Sequence, residues 1–154
     1  NTLLQNGLAT LTAVAGVVQI EREVTHYRVN KYGEQDLSYV DCETLFTTAY
    51  VLRYLKGLIT SKYGRHKLAN DGKNFGPGQA IVTPKIIRSE LTVAYAKLEY
   101  QGIVENATIF ERYLVVERDT DNVNRINVLF PPDYVNQLRI FALLNQFRLQ
   151  YQEA

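Results

Sequence analysis

The 154 residues carry 17 Lys and Arg against 16 Asp and Glu, a formal net charge of +1. That balance removes the global field that draws a protein to nucleic acid or to an anionic membrane surface. With 46% hydrophobic and 21% charged residues, no 18-residue apolar run, no signal-peptide pattern and a single Cys at position 42, the composition predicts one globular domain without an intrachain disulfide.

Residues 1–7 read as the tail of a short helix stopped by Gly7. Residues 8–15 and 17–29 flank Gly16 as a hairpin, with Val18, Ile20, Arg22 and Val24 on one face of the second strand. Tyr32-Gly33 marks a turn. Ser38 then opens a long helix with Asp41 as a capping-box acid, its stripe being Leu45, Ala49, Leu52, Leu55 and Ile59, and Gly64 ends it. Residues 64–82 form a loop. Thr83-Pro84 is an N-cap followed by Pro at the first helical position, and Ile87, Leu91, Tyr95 and Leu98 form the buried stripe of the second helix, closed by Gly102. A short helical turn over 106–112 precedes a hairpin of 113–118 and 125–130, with Ile126, Val128 and Phe130 sharing a face. The order predicts an α+β domain: a mainly antiparallel sheet, two main helices packed on one of its faces, and an extended terminal strand.

No constellation of catalytic or metal-ligating residues emerges. The loop from Gly72 to Gly78 places its Lys after the first Gly, and Pro77 removes an amide donor that a phosphate cradle needs. Asp119, Asp121 and Asn122 begin like a calcium loop, but the sixth position is Asn124 and the twelfth Phe130. Two His and one Cys build no zinc site. Cys42, between Asp41 and Glu43, sits where negative charge raises a thiol pKa and makes a poor nucleophile. The expectation is therefore a non-enzyme with no cofactor and no metal. Lys62, Arg65, His66, Lys67 and Lys73 form a basic cluster; its plain reading is cations complementing a helix C-terminus and a solvated loop. The alternative function it suggests is a DNA-binding module using residues 62–73.

The most telling stretch comes last. After Ile126, Val128 and Phe130 the chain turns at Pro131-Pro132 and continues as a long apolar segment through Leu138, Ile140, Phe141, Leu143, Phe147 and Leu149. An extended apolar segment must be tucked into its own sheet or lent to a neighbour, because unpaired N–H and C=O groups recruit other strands. Either outcome is open for residues 138–151; where they are lent, they form a strand-exchange segment whose expected receiving edge is the hairpin of 17–29, through Val18, Ile20 and Val24. The absence of Met predicts a processed chain or a piece of a longer protein.

Several runs resemble one family, the tail sheath proteins of contractile-tailed bacteriophages in their Mu-like branch. They are Tyr39-Val40-Asp41-Cys42-Glu43-Thr44-Leu45, Ser61-Lys62-Tyr63-Gly64-Arg65-His66-Lys67-Leu68, the run from Phe75 to Pro84, the run from Asn124 to Asp133, Val135-Asn136-Gln137-Leu138-Arg139-Ile140-Phe141 and Gln146-Phe147-Arg148-Leu149. The resemblance implies the C-terminal, tube-proximal domain of a sheath subunit, with the upstream domains and N-terminal arm lying outside this chain. It implies a helical homo-oligomer of hexameric rings linked by strand addition, contracting to drive the tube through the host envelope. Implied partners are further copies of the subunit, the tail tube protein and baseplate proteins, with no nucleic acid and no membrane insertion. The implied setting is the phage virion tail, and the host cytoplasm during assembly. Lys62, Arg65, Lys67 and Lys73 then become candidate contacts to the tube or to a neighbouring subunit.

Overall fold

The computed structural model describes residues 2–147; Leu149 and the rest of the expected strand beyond Phe147 lie outside them. Its elements are α1 (Thr2–Gln5), β1 (Thr10–Val14), β2 (Val17–Arg22), α2 (Cys42–Tyr63), β3 (Lys67–Leu68), β4 (Ile81–Val82), α3 (Pro84–Tyr100), α4 (Ala107–Tyr113), β5 (Val115–Arg118) and β6 (Ile126–Leu129).

The core gathers around α3. Ile87, Leu91, Ala94, Tyr95 and Leu98 are buried as the 3.6-residue period requires, and Val51 and Leu55 of α2, Val82, Val104, Phe110 and Leu114 close around them. Three aromatic rings fill the centre: Tyr95 stacks on Phe110 with centroids 3.7 Å apart, and Phe130 meets both edge-on at 6.0 and 5.0 Å. α3 begins at Pro84 after Thr83, whose backbone is extended but whose hydroxyl makes no capping bond. The orphan amide of Lys85 is satisfied instead by Asp71 Oδ1, 3.1 Å away in the preceding loop. The amide of Ala107 at the start of α4 is likewise accepted by Glu99 Oε1 at 2.9 Å. These remote caps tie loop, helix and helix together.

Two expectations need correction. α2 starts at Cys42, with Asp41 rather than Ser38 at the N-cap position. Its buried line is Val51 and Leu55, whereas Leu45 and Leu52 are exposed, because α3 covers only the C-terminal part of α2. The sheet also differs. The described residues form three separate two-stranded ladders, β1–β2 and β5–β6 antiparallel and β3–β4 parallel, instead of one sheet under two helices. The fold is a mixture of helix and small sheets. Ile126, Val128 and Phe130 do share a face, and with Leu52, Leu55, Ile59, Ile87 and Leu91 they line an open apolar groove between α2, α3 and β6.

Candidate assembly segments

The chain beyond β6 is fixed at its root. Pro131 and Pro132 supply no amide donors, so the segment's first main-chain anchors fall on Asp133 to Val135. The buried Tyr95 hydroxyl accepts a hydrogen bond from the Asp133 amide at 3.0 Å and donates to the Glu105 carbonyl at 2.8 Å. Burial pushes the Tyr95 phenol above its ordinary value, so it stays neutral and able to donate. The Glu105 amide donates to the Asp133 carbonyl at 2.9 Å, the Val135 amide to the Ile103 carbonyl at 3.2 Å, and Val104 and Tyr134 form an antiparallel bridge. Asn106, at φ 60°, adds its side-chain amide to Asp133 Oδ2 at 2.7 Å.

Beyond this root, residues 136–147 join no ladder. Leu138, Ile140, Phe141, Leu143 and Phe147 are 84%, 82%, 79%, 77% and 75% exposed. A run of this kind removes little apolar surface from water among the described residues.

The β1–β2 hairpin has the same character. It pairs Leu11 with Ile20, Ala13 with Val18 and Val14 with Val17 around a two-residue turn in which Ala15 and Gly16 both have positive φ, 50° and 80°. Val18 and Ile20 are 67% and 65% exposed. An isolated two-stranded ribbon is marginal in water, so this arm is a strand short of a stable sheet. Val24 does not join them: it is buried at 7% and bridges Asp41, where the chain turns back towards α2. The hairpin ends at Arg22, and the expected second strand to residue 29 breaks into isolated bridges.

The two exposed arms meet one carboxylate pair at the start of α2. Arg22 of the hairpin donates to Asp41 Oδ1 through Nε at 3.0 Å and Nη2 at 2.9 Å. Arg139 of the tail reaches the same Asp41 oxygen at 3.2 Å and also pairs with Glu43. Asp41 therefore bonds an arginine from each arm instead of capping its own helix. Burial, followed by the charges of Glu23, Glu43 and Asp41, pushes the Cys42 thiol up, which keeps it protonated and unreactive. This cluster was not legible in the sequence, because Arg22, Asp41 and Arg139 are far apart in the chain.

The basic cluster disperses. Lys62 pairs with Glu90 of α3, and Tyr63 donates to the same carboxylate at 3.1 Å. The Lys62 hydrogen bond, reinforced by Tyr63, holds the Glu90 carboxyl below its ordinary value, and Glu90 in turn holds the Lys62 ammonium up. Lys62 is thus a cross-brace between α2 and α3. Arg65, Lys67 and Lys73 are exposed and form no salt bridge among the described residues. Asp119 organises the β5–β6 turn: its Oδ1 accepts from the amides of Asp121 at 2.9 Å and Asn122 at 2.8 Å, and its Oδ2 from Asn127 at 2.9 Å. No helix among the described residues is long and apolar enough to cross a membrane.

Comparison with known proteins gives two findings. The family model described as the phage tail sheath C-terminal domain matches residues 34–148. The chain is also 49% identical, over 150 residues, to the Mu-like prophage FluMu tail sheath protein of Haemophilus influenzae. That alignment covers 97% of this chain and 31% of the relative, so the chain spans about a third of the relative's length.

Proposed function

The chain belongs to the phage tail sheath C-terminal domain family, a structural family, and from that membership we propose that it links sheath subunits by strand addition around a tail tube. The observation that carries this reading is the tail. A root locked by Tyr95 and the Val104–Tyr134 bridge delivers an apolar extended segment that stands exposed among the described residues. The exposed hairpin, through Val18 and Ile20, is its receiving edge on a neighbour. Each main-chain hydrogen bond added contributes about 0.5–1.5 kcal/mol net, and a helical array repeats the link at every subunit. Links on extended arms persist while rigid bodies rotate, which lets a sleeve shorten around the tube without coming apart. The energy of contraction lies in the packing of the extended array, and no bound nucleotide takes part.

Deleting residues 138–151 from the full-length protein should abolish sheath or polysheath formation, as seen by electron microscopy. Tubes of normal length from the deletion would refute the strand-addition role. Arg65, Lys67 and Lys73 are proposed to contact the tube or a neighbouring subunit, so reversing the charges of Arg65 and Lys67 should weaken assembly in a salt-dependent way. Assembly unchanged by that reversal would remove this contact. DNA binding by the same loop is disfavoured by the pairing of Lys62 with Glu90 and by the net charge of +1.

A further inference from the structure

The tail leaves its root across a polar cleft of about 410 Å³, lined on one side by Ser38, Thr44 and Thr47 and on the other by Tyr134 and Gln137. Arg139 closes the far end of that cleft. It pairs with both Asp41 and Glu43, and its side chain and theirs keep 33%, 23% and 33% of their surface exposed. Beyond Arg139, Ile140, Phe141, Leu143 and Leu144 are all more than three-quarters exposed, at 82%, 79%, 77% and 93%. Among the described residues, these ion pairs are the last polar attachment of the tail to the body, at the start of the segment proposed to pair elsewhere. Arg22 binds the same Asp41 oxygen, so the hairpin, the proposed receiving edge, is tethered at the same point.

We propose that Asp41 and Glu43 form an ionic clasp that folds the tail back on its own subunit and retards its transfer to a neighbour. The proposal rests on the reading of residues 138–147 as the exchanged strand. A tail pinned at Arg139 is held at the start of its own α2; release of that pin lets the segment swing out about the fixed root at Asp133 to Val135. Partly exposed ion pairs suit this role, because they are weak enough to be exchanged and strong enough to bias a population. Loss of Arg139 leaves Asp41 still paired with Arg22, so the body of the domain keeps its fold.

The test has two arms, both in the full-length protein. In the first, chymotryptic cleavage after Phe141 is timed at concentrations where the subunit is monomeric. Arg139→Gln should raise the rate roughly two- to fivefold, the range expected for partly exposed ion pairs. Salt at about 0.5 M should do the same to the parent protein through screening. Glu43→Arg combined with Arg139→Glu should restore only part of the slow cleavage, because Asp41 then faces a like charge. Equal rates in parent and Arg139→Gln overturn the clasp. In the second arm, Arg139→Gln should shorten the lag of sheath assembly by a similar factor. An unchanged lag, in a background where deleting 138–151 still abolishes assembly, overturns the clasp as a brake and leaves strand addition standing. Assembly that survives the deletion overturns strand addition itself.

Discussion

Tyr95 and Phe141 are both large aromatics, and the difference in their surroundings divides the molecule. Around Tyr95, the segment between α2 and Val135 brings helix, loop and ladder together until the ring is fully enclosed and its hydroxyl bonded on both sides. Around Phe141, and equally around Val18 and Ile20, comparable apolar side chains stand in solvent. Hydrophobicity alone does not separate the two regions; what separates them is whether the chain itself brings a covering surface. The body is a finished fold. The arms leave apolar area exposed among the described residues, which is the ground for the strand exchange proposed above.

That contrast can be broken from either side. The largest effect should come from Leu98→Ala, which opens a cavity under the last turn of α3, where Leu98 is fully buried, and should cost about 2–5 kcal/mol in urea unfolding. Tyr95→Phe keeps the ring and removes the hydroxyl, leaving the Asp133 amide without its partner; about 1–3 kcal/mol is expected. The same change should raise hydrogen exchange at residues 133–135, which distinguishes loss of the root from general weakening. A smaller effect concerns pH. Glu90 sits below its ordinary value of 4.5, so the folded state releases its proton more readily than the unfolded chain. Its contribution is fully present above about pH 4.5 and is lost as pH falls through the lower folded-state value. Glu90→Gln should flatten this part of the acid limb of a thermal-denaturation profile, and an unchanged limb would assign the acid loss elsewhere, Asp119 and Asp36 being similarly lowered. The smallest effect sharpens the comparison most. Val18→Asp and Phe141→Asp should each shift the midpoint of unfolding by no more than about 0.5 kcal/mol, while impairing assembly of the full-length protein.

Much of the body was legible in the sequence because its signals are local. Thr83-Pro84 starts α3, Ile87, Leu91, Tyr95 and Leu98 face inward, and Ile126, Val128 and Phe130 share a face. The α2 stripe was half misread, since Leu45 and Leu52 have helical spacing but stay exposed among the described residues, Leu52 only lining the open groove. Periodicity reports which face is apolar, and whether that face is covered depends on tertiary partners. The single sheet failed for a similar reason: strand propensity identifies ribbons and does not say which ribbons join. The Asp71 and Glu99 caps and the Arg22–Asp41–Arg139 cluster were beyond reach, being built from residues distant in sequence. Residues 138–151 were read as extended and apolar from their run of apolar side chains after Pro131-Pro132, and the described part, to Phe147, lies in the open without a ladder.

The root of the tail carries a mechanical consequence. A pull on residues 136–147 along the chain meets its attachments one after another: the Arg139 pairs, then the Val135–Ile103 bond, then the Glu105–Asp133 bond, and finally the Tyr95 hydroxyl. Loading in series peels a connection open at low force until the last element is reached. Here that last element is a ring stacked on Phe110 and edge-on to Phe130. Under the strand exchange proposed above, tension from a neighbour passes first through these polar contacts and then reaches Tyr95 in the buried face of α3, so that the load enters the domain at its core.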